Sequence, residues 1–188
     1  SVGLSGISTG ATNETQTLTI TATSSVPSVV PNPTVSYTSP NATGSLNFTP
    51  TANSNGTATI TVTVNDGQVL NNTATRTFTV TVNAVNDAPT LNPLANVAIN
   101  EDAGTQIVSL SGIGTGAPNE TQTLAVTATS SNPGLIANPT VSYTSPAATG
   151  SLSFTPVANA NGTATSTVTI NDGQAANNTV VQTFTVTV

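Results

Sequence analysis

Residues 57–68 read Thr-Ala-Thr-Ile-Thr-Val-Thr-Val-Asn-Asp-Gly-Gln. Apolar side chains stand at every second position, Ala58, Ile60, Val62 and Val64, with a threonine between each pair. A period of two gathers the apolar groups on one face of an extended chain, and the branched threonine carbon suits a pleated surface. The stretch is therefore expected to be a half-buried β-strand that ends in the turn sequence Asn-Asp-Gly. The same alternation recurs at Leu18, Ile20 and Ala22, and at Phe78, Val80 and Val82, while no stretch carries a helical period. Strands are expected near residues 16–23, 34–38, 44–49, 57–65 and 73–83.

The whole pattern occurs twice. Val2–Val82 aligns without a gap onto Val108–Val188, with 60 of 81 positions identical. Such self-similarity marks a tandem array. About seven short strands per hundred residues, punctuated by Pro, Asn-Gly and Asp-Gly, is the pattern of an immunoglobulin-like sandwich. The fold class expected is all-β, with two tandem immunoglobulin-like β-sandwich domains, residues 1–83 and 84–188. Residues 84–107 supply a linker and a first strand that have no counterpart in the first copy, so repeat 1 is expected to lack its opening strand. Either the sequence belongs to a longer array, or another chain supplies the strand and builds a polymer by strand addition.

Composition excludes several functions. Charged residues make up 4% of the chain and Arg76 is the only base, with a net charge of -6. Polyanions are held by several Lys and Arg contacts, so nucleic acid is not a partner, and an anionic membrane surface is a poor one. No apolar run reaches the roughly 18 residues of a spanning helix, so membrane insertion is not expected. The start, residues 1–10, lacks the regions of a signal peptide, and any export signal is expected to lie outside this sequence. Cysteine and histidine are absent. That removes disulfides, thiolate or imidazole metal sites, cysteine nucleophiles and Ser/His triads. Lysine is absent too, so there is no Schiff-base lysine. Paired-carboxylate glycoside chemistry would need a cleft with sugar platforms, and six aromatic rings with no Trp offer little for one. The chain is not expected to be an enzyme.

The seven acids sit at expected loops and strand ends: Glu14, Asp66, Asp87, Glu101, Asp102, Glu120 and Asp172. Hard cations are held in such places, because calcium takes six to eight oxygens from carboxylates, amides, carbonyls and water. The candidate set joins Asn86 and Asp87 to Glu120 and Asp172, with Glu14 and Asp66 as the repeat of the arrangement in the first copy. The bland alternative is that these residues only shape turns. Eight Asn-Xaa-Ser/Thr sequons, at Asn13, Asn41, Asn47, Asn55, Asn71, Asn119, Asn161 and Asn177, would accept glycans in a host with the machinery, though many such triplets arise by chance in an Asn- and Thr-rich chain.

The run Val-Asn-Asp-Ala-Pro-Thr at 85–90, followed by Ile-Asn-Glu-Asp-Ala-Gly-Thr at 99–105, resembles the linker and opening strand of cadherin-like tandem domains found in large bacterial surface and adhesion proteins. The resemblance implies calcium at interdomain junctions, with Asn86, Asp87, Glu101 and Asp172 at the acidic positions and Glu101 serving the next junction downstream. The paired-Asp motif of true cadherins is absent, its region reading Ser-Gly-Ile-Gly-Thr-Gly at 111–116, as is the mid-domain acidic motif.

The leading expectation is a structural repeat of an extracellular or cell-surface array, a rigid spacer whose partners are neighbouring repeats. The alternative is the protomer of a self-assembling filament, since the chain has no lysine with which to protect its sheet edges. A third is a carbohydrate- or ligand-binding module.

Overall fold

In the computed structural model, which describes all 188 residues, the stretch at 57–68 lies at the centre of an antiparallel sheet. It forms β5 (Gly56–Asn65), flanked by β2 (Thr19–Ser24) and β6 (Thr73–Val82). Pairing of β5 with β6 sets Thr57 opposite Thr81, Thr59 opposite Thr79, Thr61 opposite Thr77 and Thr63 opposite Thr75. Threonine thus forms a cross-strand ladder on the outer face, where paired hydroxyls and methyls support each other. The intervening Ala58, Ile60 and Val62 are buried. Facing them is a second sheet of β1 (Val2–Ser5), β3 (Thr34–Ser36) and β4 (Thr43–Asn47), in the order β1-β4-β3.

The chain divides into two compact units, Ser1–Ala84 and Val85–Val188. The second repeats the first with β8 (Gln106–Ser111), β9 (Ala125–Ser130), β10 (Thr140–Ser142), β11 (Thr149–Phe154), β12 (Thr163–Asn171) and β13 (Thr179–Thr187). It also has β7 (Val97–Ala98), which pairs in parallel with the outer edge of β13. Its sheets run β10-β11-β8 and β7-β13-β12-β9.

Two features depart from the sequence reading. Strands β1 and β8 lie outside the expected strands: β1 has only four residues with Gly3 among them, and in β8 Ile107 stands next to Val108, which breaks the alternation. The opening segment of unit 2 is less regular than a full strand. It makes one antiparallel bridge, Thr90 with Gly114, and then the two-residue β7. Pro89 and Pro93 explain this, since proline has no N–H for a ladder.

The cores differ in completeness. Unit 2 buries a cluster of thirteen residues and unit 1 a cluster of six. The gain comes largely from the opening segment: Leu91 is itself buried, and Leu94, Val97 and Ile99 pack against the cluster. Beneath them Phe184 is 1% exposed and Val186 fully covered, with the Phe154 and Phe184 rings 6.5 Å apart.

Candidate functional site at the entry pole of unit 2

The chain enters unit 2 through Val85-Asn86-Asp87-Ala88-Pro89. Proline at 89 biases Ala88 toward extended backbone, so the segment cannot coil as it arrives. It meets the loop that follows β12. There Asp172 bends the chain by accepting the Gln174 N–H at Oδ1, 2.9 Å, while Asn171 Oδ1 accepts from Gly173 at 2.6 Å. Asp172 is 3% exposed.

Asn86 ties this loop to the entry segment. Its Nδ2 donates to Asp172 Oδ2 at 2.9 Å and to the carbonyl oxygens of Ala176 at 3.0 Å and Asn177 at 3.2 Å. Its Oδ1 accepts from Gln122 Nε2 at 2.9 Å, and its own carbonyl accepts from Asn177 Nδ2 at 3.0 Å. One residue later the Asp87 N–H donates to Glu120 Oε1 at 2.8 Å. Both Asp172 oxygens therefore have neutral donors, which is what a buried carboxylate with no base nearby requires.

The structure thus brings Asn86, Asp87, Glu120 and Asp172 to one pole of unit 2. Glu101 is exposed and lies past β7, beyond the point where the Ile99 N–H donates to Thr187 O at the far end of β13. A nine-residue strand separates the two ends by about 30 Å. In unit 1, Asp66 caps its own turn by accepting the Gln68 N–H, as Asp172 does, and Glu14 sits in the loop before β2. The sequence reading missed Gln122 and Asn177. Gln122 was legible in principle, since it stands two residues after Glu120 in the repeated Asn-Glu-Thr-Gln run.

The calcium implied by the cadherin-like resemblance fits these residues in part. No three acidic side chains converge on one point. Asp172 is already supplied with donors. Glu120 Oε2 and Gln122 Oε1, however, are buried acceptors without a partner, and both residues line a cavity of about 330 Å³ with Gly114, Thr115 and Pro146. Orphaned acceptor oxygens of this kind attract a cation or an ordered water.

Two mainly antiparallel sheets face to face in each unit, an entry segment that bridges those of unit 2 and an internal repeat identical at 60 of 81 positions define a tandem immunoglobulin-like sandwich protein. The chain belongs to the bacterial Ig domain family, whose model matches residues 4–83 and 86–187. No curated protein matches it. Among solved structures, domains 4 and 5 of the S-layer protein SbsC are 23% identical, with 96% of this chain and 74% of that one covered and a TM-score of 0.35. A longer SbsC structure is covered over only 21% of its length. The human desmocollin-1 ectodomain is 15% identical over 89% of this chain and 34% of its own, with a TM-score of 0.49. An endo-fucoidan hydrolase of glycoside hydrolase family 107 is 17% identical over 90% and 28%, with a TM-score of 0.39. The likeness reaches no further than the fold.

Proposed function

We propose that the chain is a non-enzymatic structural repeat of an extracellular or cell-surface array, acting as a stiff spacer. The observation that carries this reading is the clamp on the entry segment. Asn86 and Asp87 come two and three residues after Ala84, the last residue of unit 1, and six hydrogen bonds fix them to unit 2. Only Val85 stands between Ala84 and the clamped Asn86, and a connection with so few free bonds is what a stiff spacer would use. The surroundings suit an exposed array. All eight sequon asparagines are exposed, and the outer faces are threonine rather than charge.

Calcium belongs to this proposal as a reinforcement. Glu120 and Gln122 would hold it with the oxygens that lack donors, and Asp87, whose N–H already meets Glu120, would add its carboxylate. Small-angle scattering of the chain in calcium and in chelator tests the reading. A monomer whose dimensions tighten in calcium supports the reinforced spacer. A monomer indifferent to calcium leaves the hydrogen-bonded clamp as the whole device. Growth into long particles would replace the spacer with the filament protomer.

A further inference from the structure

The outer face of the β2-β5-β6 sheet is built from one residue type. Its outward positions are the odd-numbered residues of 19–23, 57–63 and 73–81, and all twelve are threonine. Pairing lines them up across three strands: Thr21, Thr63 and Thr75 stand in one row, and Thr23, Thr61 and Thr77 in the next. No charged side chain interrupts the array. Arg76 belongs to the inward set, opposite Val62, and Asp66 lies beyond the end of β5. Of the twelve hydroxyls only that of Thr19 bonds within the protein, to the Asn65 carbonyl at 3.3 Å. The rest are left to whatever lies outside.

The internal repeat shows how strongly this face is held. At the matching positions of unit 2 threonine recurs in all but two places, Ala125 and Val181. The eleven even-numbered positions beneath, on the same strands, have changed at five: Ile20 to Val126, Ile60 to Ser166, Val64 to Ile170, Ala74 to Val180 and Arg76 to Gln182. A close-packed interior is ordinarily the constrained side of a strand, and a solvent-facing position accepts any side chain that suits a pleated surface. Here two of twelve outer positions differ against five of eleven inner ones. An exposed face that varies less than the core beneath it is a binding face.

The array itself selects the ligand. It has no base for an anion, no carboxylate for a cation and no aromatic ring for a sugar. It offers hydroxyls, each able to donate and to accept, with a methyl beside every one. These repeat at about 4.8 Å across the strands and about 6.7 Å along them, near the two repeats of a prism face of hexagonal ice. Ice is uncharged and presents donors and acceptors at every lattice point, as the face does. We infer that the threonine face of β2, β5 and β6 is an ice-binding surface. Adjacent strands turn by about 20–25°, so the lattice match is confined to neighbouring strands, and the activity is adsorption to ice and shaping of the crystal rather than strong arrest of its growth.

The test grows a single ice crystal slowly from a solution of the fluorescently labelled 188-residue chain and measures how much protein the ice takes up. The expected result is uptake well above that of an inert globular protein, with faceting of the crystal. Thr61→Lys with Thr77→Lys, a directly opposed and solvent-facing pair, should reduce uptake at least tenfold. Thr34→Lys with Asn47→Lys makes the same charge change on an opposed, exposed pair of the other sheet and should leave uptake unchanged. Thermal unfolding of both variants shows that each is folded. Exclusion of the parent chain from ice, equal uptake by the Thr61/Thr77 variant, or equal loss in both variants would overturn the inference. Exclusion from ice together with a dimer that only the Thr61/Thr77 variant dissolves would overturn it in favour of a contact between copies of the chain.

Discussion

Gly116 lies so close to the carbonyl oxygen of Ala88 that a methyl group on it would overlap that oxygen, whereas Gly10, its counterpart with the same positive φ, has open space around it. The pair separates two costs that usually come together. Placing alanine at positive φ costs about 1–2 kcal/mol at either site, and only at Gly116 does it also push the entry segment away. Gly116→Ala should therefore lower the unfolding midpoint of unit 2 by clearly more than Gly10→Ala lowers that of unit 1. Residue-resolved thermal unfolding by NMR reads both; equal losses would mean the segment does not press on Gly116 in solution.

Asn86 supplies a donor to a carboxylate that is 3% exposed. Asn86→Ala leaves Asp172 Oδ2 buried without it and should cost unit 2 about 1–3 kcal/mol. Urea unfolding would show this as a lower midpoint at unchanged slope. A loss within experimental error would show that water replaces the amide freely.

Ser166 is fully buried and its Oγ has no partner, and unit 1 places Ile60 there. Removing an unsatisfied hydroxyl avoids its desolvation penalty, so Ser166→Ala is expected to stabilise unit 2 by about 1 kcal/mol. Isoleucine is the harder substitution, because unit 2 has already enlarged Val29 and Val30 to Leu135 and Ile136, and overpacking costs as much as a cavity. A destabilised Ser166→Ala would reveal a hydrogen bond or bound water at Oγ.

Calcium is expected to raise the unfolding midpoint of unit 2. At one hundred times its Kd, a ligand bound only to the folded state adds about 2.7 kcal/mol. Glu120→Gln keeps an acceptor for the Asp87 N–H but removes the charge, and should abolish the increment while leaving the metal-free midpoint little changed. Asp87→Ala should reduce it. An increment that survives both substitutions places the ion elsewhere.

The parts of this molecule that could be read from the chain are those where period and repeat coincide. Strands β2, β5 and β6 and their copies announce themselves because Thr alternates with Ile, Val or Phe for six to ten residues. Val2–Ser5 does not, since its inward Val2 and Leu4 are separated by Gly3 rather than a strand former. The opening segment is held by tertiary contacts that no local pattern encodes, and its prolines hide the pairing of Val97–Ala98. At the entry pole, Asn86, Asp87, Glu120 and Asp172 were legible as a group because acids are so scarce. Their chemistry was not. A sequence shows that Asn86 can offer an oxygen, but its amide nitrogen faces Asp172, and only the fold brings Asn177 and the Ala176 carbonyl to complete the clamp.

If the clamp on Asn86 and Asp87 makes the repeat a stiff spacer, the distance between units 1 and 2 should be narrowly distributed, which a pair of spin labels reads directly. The chain has no native cysteine, so Thr77→Cys and Thr183→Cys, on exposed strand positions of units 1 and 2, accept one spin label each. Pulsed dipolar spectroscopy should give a narrow distribution in the otherwise unaltered chain and a markedly broader one when Asn86→Ala is added. A broad distribution that Asn86→Ala leaves unchanged would contradict the spacer and leave the clamp as a local brace of unit 2.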